Sequence, residues 1–81
     1  MEQKRAEILQ KITQLAVNRK VLTSEQARQI TEQTKIDKFS DLLDALELEM
    51  EIEKYYGISI TSEDVVKTYG DWVDLVEARS K

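Results

Sequence analysis

The chain has no cysteine, no histidine and no proline, only two glycines (Gly57 and Gly70), a single tryptophan and no long apolar run. Each absence excludes something. Without cysteine there is no disulfide scaffold, no thiolate metal ligand and no thiol nucleophile. Without histidine the usual acid–base group of neutral-pH catalysis and the commonest metal ligand are missing too. With two isolated glycines no glycine-rich loop can cradle a phosphate. These gaps point away from an enzyme and away from a metal protein. The apolar runs fall far short of the roughly 20 residues that a membrane span needs. Met1-Glu2-Gln3-Lys4-Arg5 leads into a polar amphipathic pattern, not an apolar leader core. The expectation is a soluble cytoplasmic protein with no membrane partner.

What is present is charge, unevenly spread. The 81 residues, read as one domain, carry a net charge of −4, and a chain this short buries only about 60% of its unfolded surface, so its core is modest. Residues 1–40 hold eight Lys or Arg against five Asp or Glu, residues 41–56 one against six, and residues 57–81 three against five. The acid is therefore concentrated in one segment, and blocks of one sign are more informative than the total.

Helical periodicity runs along nearly the whole chain. Ala6, Ile8, Leu9, Ile12, Leu15 and Ala16 recur at helical spacing, with Lys4, Arg5, Gln10, Lys11 and Gln14 on the other face, and predict an amphipathic helix over about residues 3–18. Val21-Leu22 interrupts the pattern. Thr23-Ser24-Glu25-Gln26 offers Thr23 as an N-cap with Gln26 completing a capping box, or Ser24 as the cap, of a short helix with Ala27 and Ile30 inward that ends near Thr34. Ser40 and Asp41 are both suitable N-caps for the acidic segment. There Leu43, Leu46, Met50 and Tyr56, with Leu42, Leu48 and Ile52 beside them, form a broad apolar stripe that stops at Gly57. Ile58-Ser59-Ile60 reads as an extended link, and Thr61 or Ser62 as the cap of a short helical turn through Val65-Val66. Thr68 precedes a last helix with Trp72, Val73, Leu75 and Val76 buried. The absence of proline and of strand signals makes the fold class all-α: a four-helix bundle with one extra short helix in the first long connection.

The series Leu43-Asp44-Ala45-Leu46-Glu47-Leu48, then Met50, Ile52, Tyr56 and Ile58-Ser59-Ile60, followed by Thr68-Tyr69-Gly70-Asp71-Trp72-Val73-Asp74, resembles the acyl carrier protein family. The resemblance spans Leu43 to Ala78 and implies the last three helices of the carrier bundle. In that family Leu-Asp-x-x-Glu-Leu opens the second helix, an aromatic residue closes it before an Ile-x-Ile-type link, and Thr-Val-x-Asp-Leu-Val commonly leads into the fourth. The first half of the chain agrees only in being a helix followed by a long connection.

The chain departs from the family at the attachment site. Carriers read Asp-Leu-Gly-x-Asp-Ser-Leu-Asp, whose serine receives the 4'-phosphopantetheine arm. This chain reads Asp41-Leu42-Leu43-Asp44, and an ungapped comparison puts Leu42 at the serine position. Ser40 is the one nearby hydroxyl that could substitute. It stands two residues upstream, which turns it by roughly half a turn or more on a helix, and the plainer reading of Ser40 is a helix cap. The cofactor expectation is therefore none, with 4'-phosphopantetheine on Ser40 as the alternative.

Asp44, Glu47 and Glu51 rise on one face of the acidic helix at i, i+3 and i+7, with Glu49 and Glu53 alongside. Like charges at this spacing repel by a few tenths of a kcal/mol per pair, on the order of 0.2–0.5, and Lys54 is the one local offset. By the resemblance, the corresponding carrier face docks on Arg/Lys patches of carrier-dependent enzymes, and Asp44, Glu47 and Glu53 carry over; Lys54 departs from the pattern. The plainer reading is a solvated face. Two exposed carboxylates such as Glu47 and Glu51 fall short of calcium's six to eight oxygen ligands. Lys4, Arg5, Lys11, Arg19 and Lys20, with no interleaved aromatics, do not make a nucleic-acid site, and instead balance the acidic helix.

Three readings follow. The residues favour a carrier-like module without its prosthetic group, docking through Asp44, Glu47, Glu51 and Glu53 on basic-surfaced enzymes of acyl, fatty-acid or polyketide metabolism. A working carrier modified at Ser40 is the second. An unrelated small helical interaction protein is the third. Intramolecular burial accounts for the apolar faces, so a monomer is expected.

Overall fold

The computed structural model describes residues 2–80. It is all-α: helices α1 (Glu2–Asn18), α2 (Ser24–Gln29), α3 (Leu42–Tyr56) and α4 (Tyr69–Arg79), with a 3-10 turn at Ile36–Lys38 in the connection leading into α3. Helix α1 is the hub of the bundle, with α2, α3 and α4 all packed against it. Its Ile8, Ile12 and Ala16, one helical stripe, meet Leu48 and Ile52 of α3 and Trp72, Val73 and Val76 of α4 in one core. Among the described residues no helix is long and apolar enough to cross a membrane.

The ends of the helices follow from local chemistry. Helix α1 closes in a Schellman arrangement, with the Val21 N–H on the Ala16 carbonyl at 2.8 Å and the Lys20 N–H on that of Val17 at 3.0 Å. Lys20 takes the left-handed conformation there, at φ 63°. The reversal turns Val21 and Leu22 inward, where both are buried. Thr23 caps α2 in a full capping box with Gln26. The helix ends at Gln29 and not near Thr34, because Thr31 and Thr34 close a turn of their own through the Thr34 hydroxyl. Gly57, at φ 66°, ends α3 as expected. Thr68 caps α4, and Asp71 completes its capping box.

Between Thr61 and Val66 the structure corrects the sequence reading: a single turn closes with the Asp64 N–H on the Thr61 carbonyl at 3.0 Å, and no helix continues through Val65-Val66. The Asp64 carboxylate accepts the Thr61 N–H at 2.9 Å and is gripped by both terminal nitrogens of Arg79 at 2.8 Å, so this loop folds onto the end of α4. Val65 is left exposed.

The connection from α2 to α3 is held against the start of α4. Ile36 N–H reaches the Lys67 carbonyl at 3.0 Å, Tyr69 N–H that of Thr34 at 3.0 Å, and Gly70 N–H that of Glu32 at 2.9 Å. The last approach requires glycine, since a Cβ at residue 70 would lie 2.8 Å from the Glu32 oxygen. Arg5 of α1 pairs across this junction with Glu32, Asp74 and Glu77. Tyr69 and Trp72 meet edge to face, with ring centroids 5.4 Å apart.

Candidate functional site

Asp41, not Ser40, is the N-cap of α3: its carboxylate accepts the Asp44 N–H at 2.9 Å. Ser40 is buried at 8% exposure, and its hydroxyl finds no hydrogen-bond partner among the described residues. The reading of Ser40 as a cap is therefore corrected, and its oxygen does not face solvent. Leu42, at the position where the ungapped carrier comparison puts the modified serine, is the first residue of α3 and is 76% exposed.

The structure divides the apolar stripe expected for α3: its Leu48 and Ile52 enter the core, and most of the rest turns outward. Leu48 and Ile52 are buried, with Ala45 half-buried beside them. Leu42, Leu43, Leu46 and Met50 are exposed, and Tyr56 is half-buried. The helix carries two stripes at helical spacing, Ala45-Leu48-Ile52 and Leu43-Leu46-Met50, each at i, i+3 and i+7. Only one can enter the core, and the inward one is chosen by partners elsewhere in the chain.

Those partners also account for several of the carboxylates. Glu53 Oε2 accepts the backbone N–H of Ile60 at 2.7 Å. Glu49 Oε1 accepts the indole N–H of Trp72 at 3.3 Å. Arg19, just past the end of α1, stands 3.9 Å from Glu47 and 3.7 Å from Glu51, and Lys54 lies 3.8 Å from Glu51. The repulsion along the acidic helix is thus partly offset by Arg19, whereas Arg5, expected to help balance it, pairs instead with Glu32, Asp74 and Glu77. Of the expected docking set, Asp44, Glu47 and Glu51 have no side-chain hydrogen bond among the described residues, Glu47 and Glu51 lie near Arg19 with Glu51 the more covered of the two, and Glu53 is engaged on Ile60. At these contact distances and exposures each Arg19 pair contributes little, about 0–1 kcal/mol.

The surface that results has a definite layout. An apolar ridge of Leu42, Leu43, Leu46 and Met50 runs along α3, with Asp44, Glu47 and Glu51 on one flank and Glu49 and Glu53 on the other. Exposed large apolar side chains scattered singly are ordinary; here four lie together on a single helix face. Periodicity alone did not reveal this, because it cannot say which of two stripes is outermost.

Beside the ridge opens a cleft of about 510 Å³ between α3, the 3-10 turn and the strand-like segment before α4. Its walls include Ile36, Leu42, Ala45, Leu46, Val66 and Trp72, and Glu49 stands in the wall. Burial holds the Glu49 carboxyl above its usual range, helped by the neighbouring charges of Glu53 and Asp64 and opposed by the Trp72 N–H. Among the described residues no group of three carboxylates gathers to hold a metal ion. No protein-family model matches the chain.

Proposed function

We propose that this chain is an acyl-carrier-like docking module that acts by binding and carries no prosthetic group. The observation that supports it best is the solvent-facing ridge of Leu42, Leu43, Leu46 and Met50 set between two rows of carboxylates. Such a face fits a surface that is apolar at its centre and basic at its rim: the apolar contact supplies affinity, and the charges steer encounter and fix register. By the carrier resemblance, the partners are basic-surfaced enzymes that load or use acyl carriers in fatty-acid or polyketide-type metabolism. Asp44 and Glu47 are the outward carboxylates that meet them. Glu51 and Glu53 act mainly through the bundle, by pairing with Arg19 and by holding the Ile60 N–H.

The burial of Ser40 and the exposed leucine at the carrier's serine position weigh against a loaded carrier. The test has two arms. Titration calorimetry against a panel of purified carrier-dependent enzymes gives binding that weakens as salt is raised, and that Leu46→Asp or the pair Asp44→Lys, Glu47→Lys removes without loss of helical content. Incubation with coenzyme A and a broad-specificity phosphopantetheinyl transferase leaves the intact mass unchanged. A mass gain lost in Ser40→Ala makes the protein a working carrier. A protein that binds no member of the panel is an unrelated small helical interaction module.

A further inference from the structure

The cleft beside the ridge has a chemistry that the ridge lacks. Its walls combine apolar side chains (Ile36, Leu42, Ala45, Leu46, Val66 and Trp72) with charged ones, and the Glu49 carboxylate stands among them. An ionised carboxylate offers about four acceptor sites. Glu49 uses one of them on the Trp72 indole N–H and makes no ion pair among the described residues. The other charges lining the cleft balance: Lys35 and Lys67 stand against Asp37 and Asp41, so Glu49 sets the net sign. Its charged neighbours deepen the deficit, since Glu53 and Asp64 are like charges. Leu42 and Leu46 belong both to the ridge and to the cleft wall, so whatever covers the ridge lies over the mouth of the cleft.

We infer that the cleft receives one arginine side chain of the docking partner, its aliphatic stem lying along Leu42, Leu46 and Ile36 and its guanidinium on Glu49. A long basic side chain buries methylene groups while placing charge at a polar end, and the planar guanidinium can approach a carboxylate with two donors at once. Glu49 is thereby the specificity residue of the docking face, distinct from the rim carboxylates Asp44 and Glu47, which select for general positive charge. This inference rests on the docking reading above and names the anchor of the same partner.

Trp72, the one tryptophan of the chain, reports on the cleft by fluorescence because its indole holds the Glu49 carboxylate. The test uses the full chain and three synthetic amphipathic helical peptides without tryptophan, each with a leucine stripe and a lysine rim. They differ at one central position of the stripe, which is arginine, citrulline (the neutral isostere) or norleucine. The arginine peptide is expected to bind about tenfold more tightly than the citrulline peptide, the range of one charge-assisted contact, and to shift the Trp72 emission. Glu49→Gln, which keeps an acceptor for the indole, removes that tenfold advantage, whereas Glu47→Gln weakens all three peptides and preserves their ratio. Equal binding of the arginine and citrulline peptides, tightest binding by norleucine, or an advantage that survives Glu49→Gln overturns the inference and leaves docking intact. Binding by none of the three overturns the docking reading itself. If Glu49→Gln fails to fold, the comparison of arginine with citrulline on the unaltered chain still decides.

Discussion

The Glu53 carboxylate accepts the backbone N–H of Ile60 at 2.7 Å, tying the end of α3 to the chain seven residues further on. Gly57 makes the contact possible: its left-handed conformation reverses the chain immediately after the helix and brings Ile60 back alongside the last turn. Hydrogen bonds to charged groups contribute about 1.5–3 kcal/mol. Glu53→Ala is therefore expected to lower stability by about 1–2 kcal/mol and Glu53→Gln by less, read from urea denaturation. Equal losses for the two would mean that the acceptor is not what matters.

Ser40 and Asp41 separate in the same assay. Asp41→Ala removes the N-cap of α3 and is expected to cost about 1 kcal/mol. Ser40→Ala deletes a buried hydroxyl that has no partner among the described residues, so it is expected to be neutral or to raise stability. A loss for Ser40→Ala as large as for Asp41→Ala would contradict this placement.

The orientation of α3 is open to a direct comparison. Leu48 is fully buried and Leu43 is 66% exposed, five residues apart on one helix. Leu48→Ala is expected to cost about 2–5 kcal/mol through lost burial and the cavity left behind, and Leu43→Ala to stay within about 0.5 kcal/mol of the parent. Reversed values would mean that the other stripe is the inner one.

Acid acts on this protein through three carboxylates that the fold holds below their ordinary range. Asp64 is lowered chiefly by the Arg79 guanidinium, Asp71 by the N–H groups of Lys67 and Thr68, and Glu32 by Arg5. Each binds its proton less readily folded than unfolded, so its contribution is present above the unfolded carboxylate range, about pH 4, and is lost as pH falls through the folded values. Glu49 has the opposite sign, because its raised value makes ionisation harder in the folded state, so its penalty grows as pH rises through the carboxylate range. The expected outcome is a urea midpoint that drops below about pH 4 and drops less in Asp64→Asn. Glu49→Gln is expected to raise the midpoint at neutral pH, with the gain vanishing in acid.

The features legible in the sequence were those decided within a few residues. A cap is a side chain reaching an N–H two or three positions ahead, so the Thr23–Gln26 box, Thr68 and the Gly57 stop stand where the residues indicate. The core positions of α1 and α4 were legible for a related reason: Ile8-Ile12-Ala16 and Trp72-Val73-Val76 lie within the expected apolar faces, of which Ala6 is exposed and Leu9, Leu15 and Leu75 are half-buried. All-α architecture follows from those same signals. Helix α3 differs, because Ala45-Leu48-Ile52 and Leu43-Leu46-Met50 satisfy one helical period equally well. The choice between them depends on Trp72 meeting Glu49 from 23 residues away, on Ile60 returning to Glu53, and on Arg19, just past the end of α1, facing Glu47 and Glu51. Contacts between distant parts of the chain exist only once the chain has folded, so the sequence by itself determined that α3 is an acidic amphipathic helix, and the tertiary structure alone decided which of its apolar stripes remains outside.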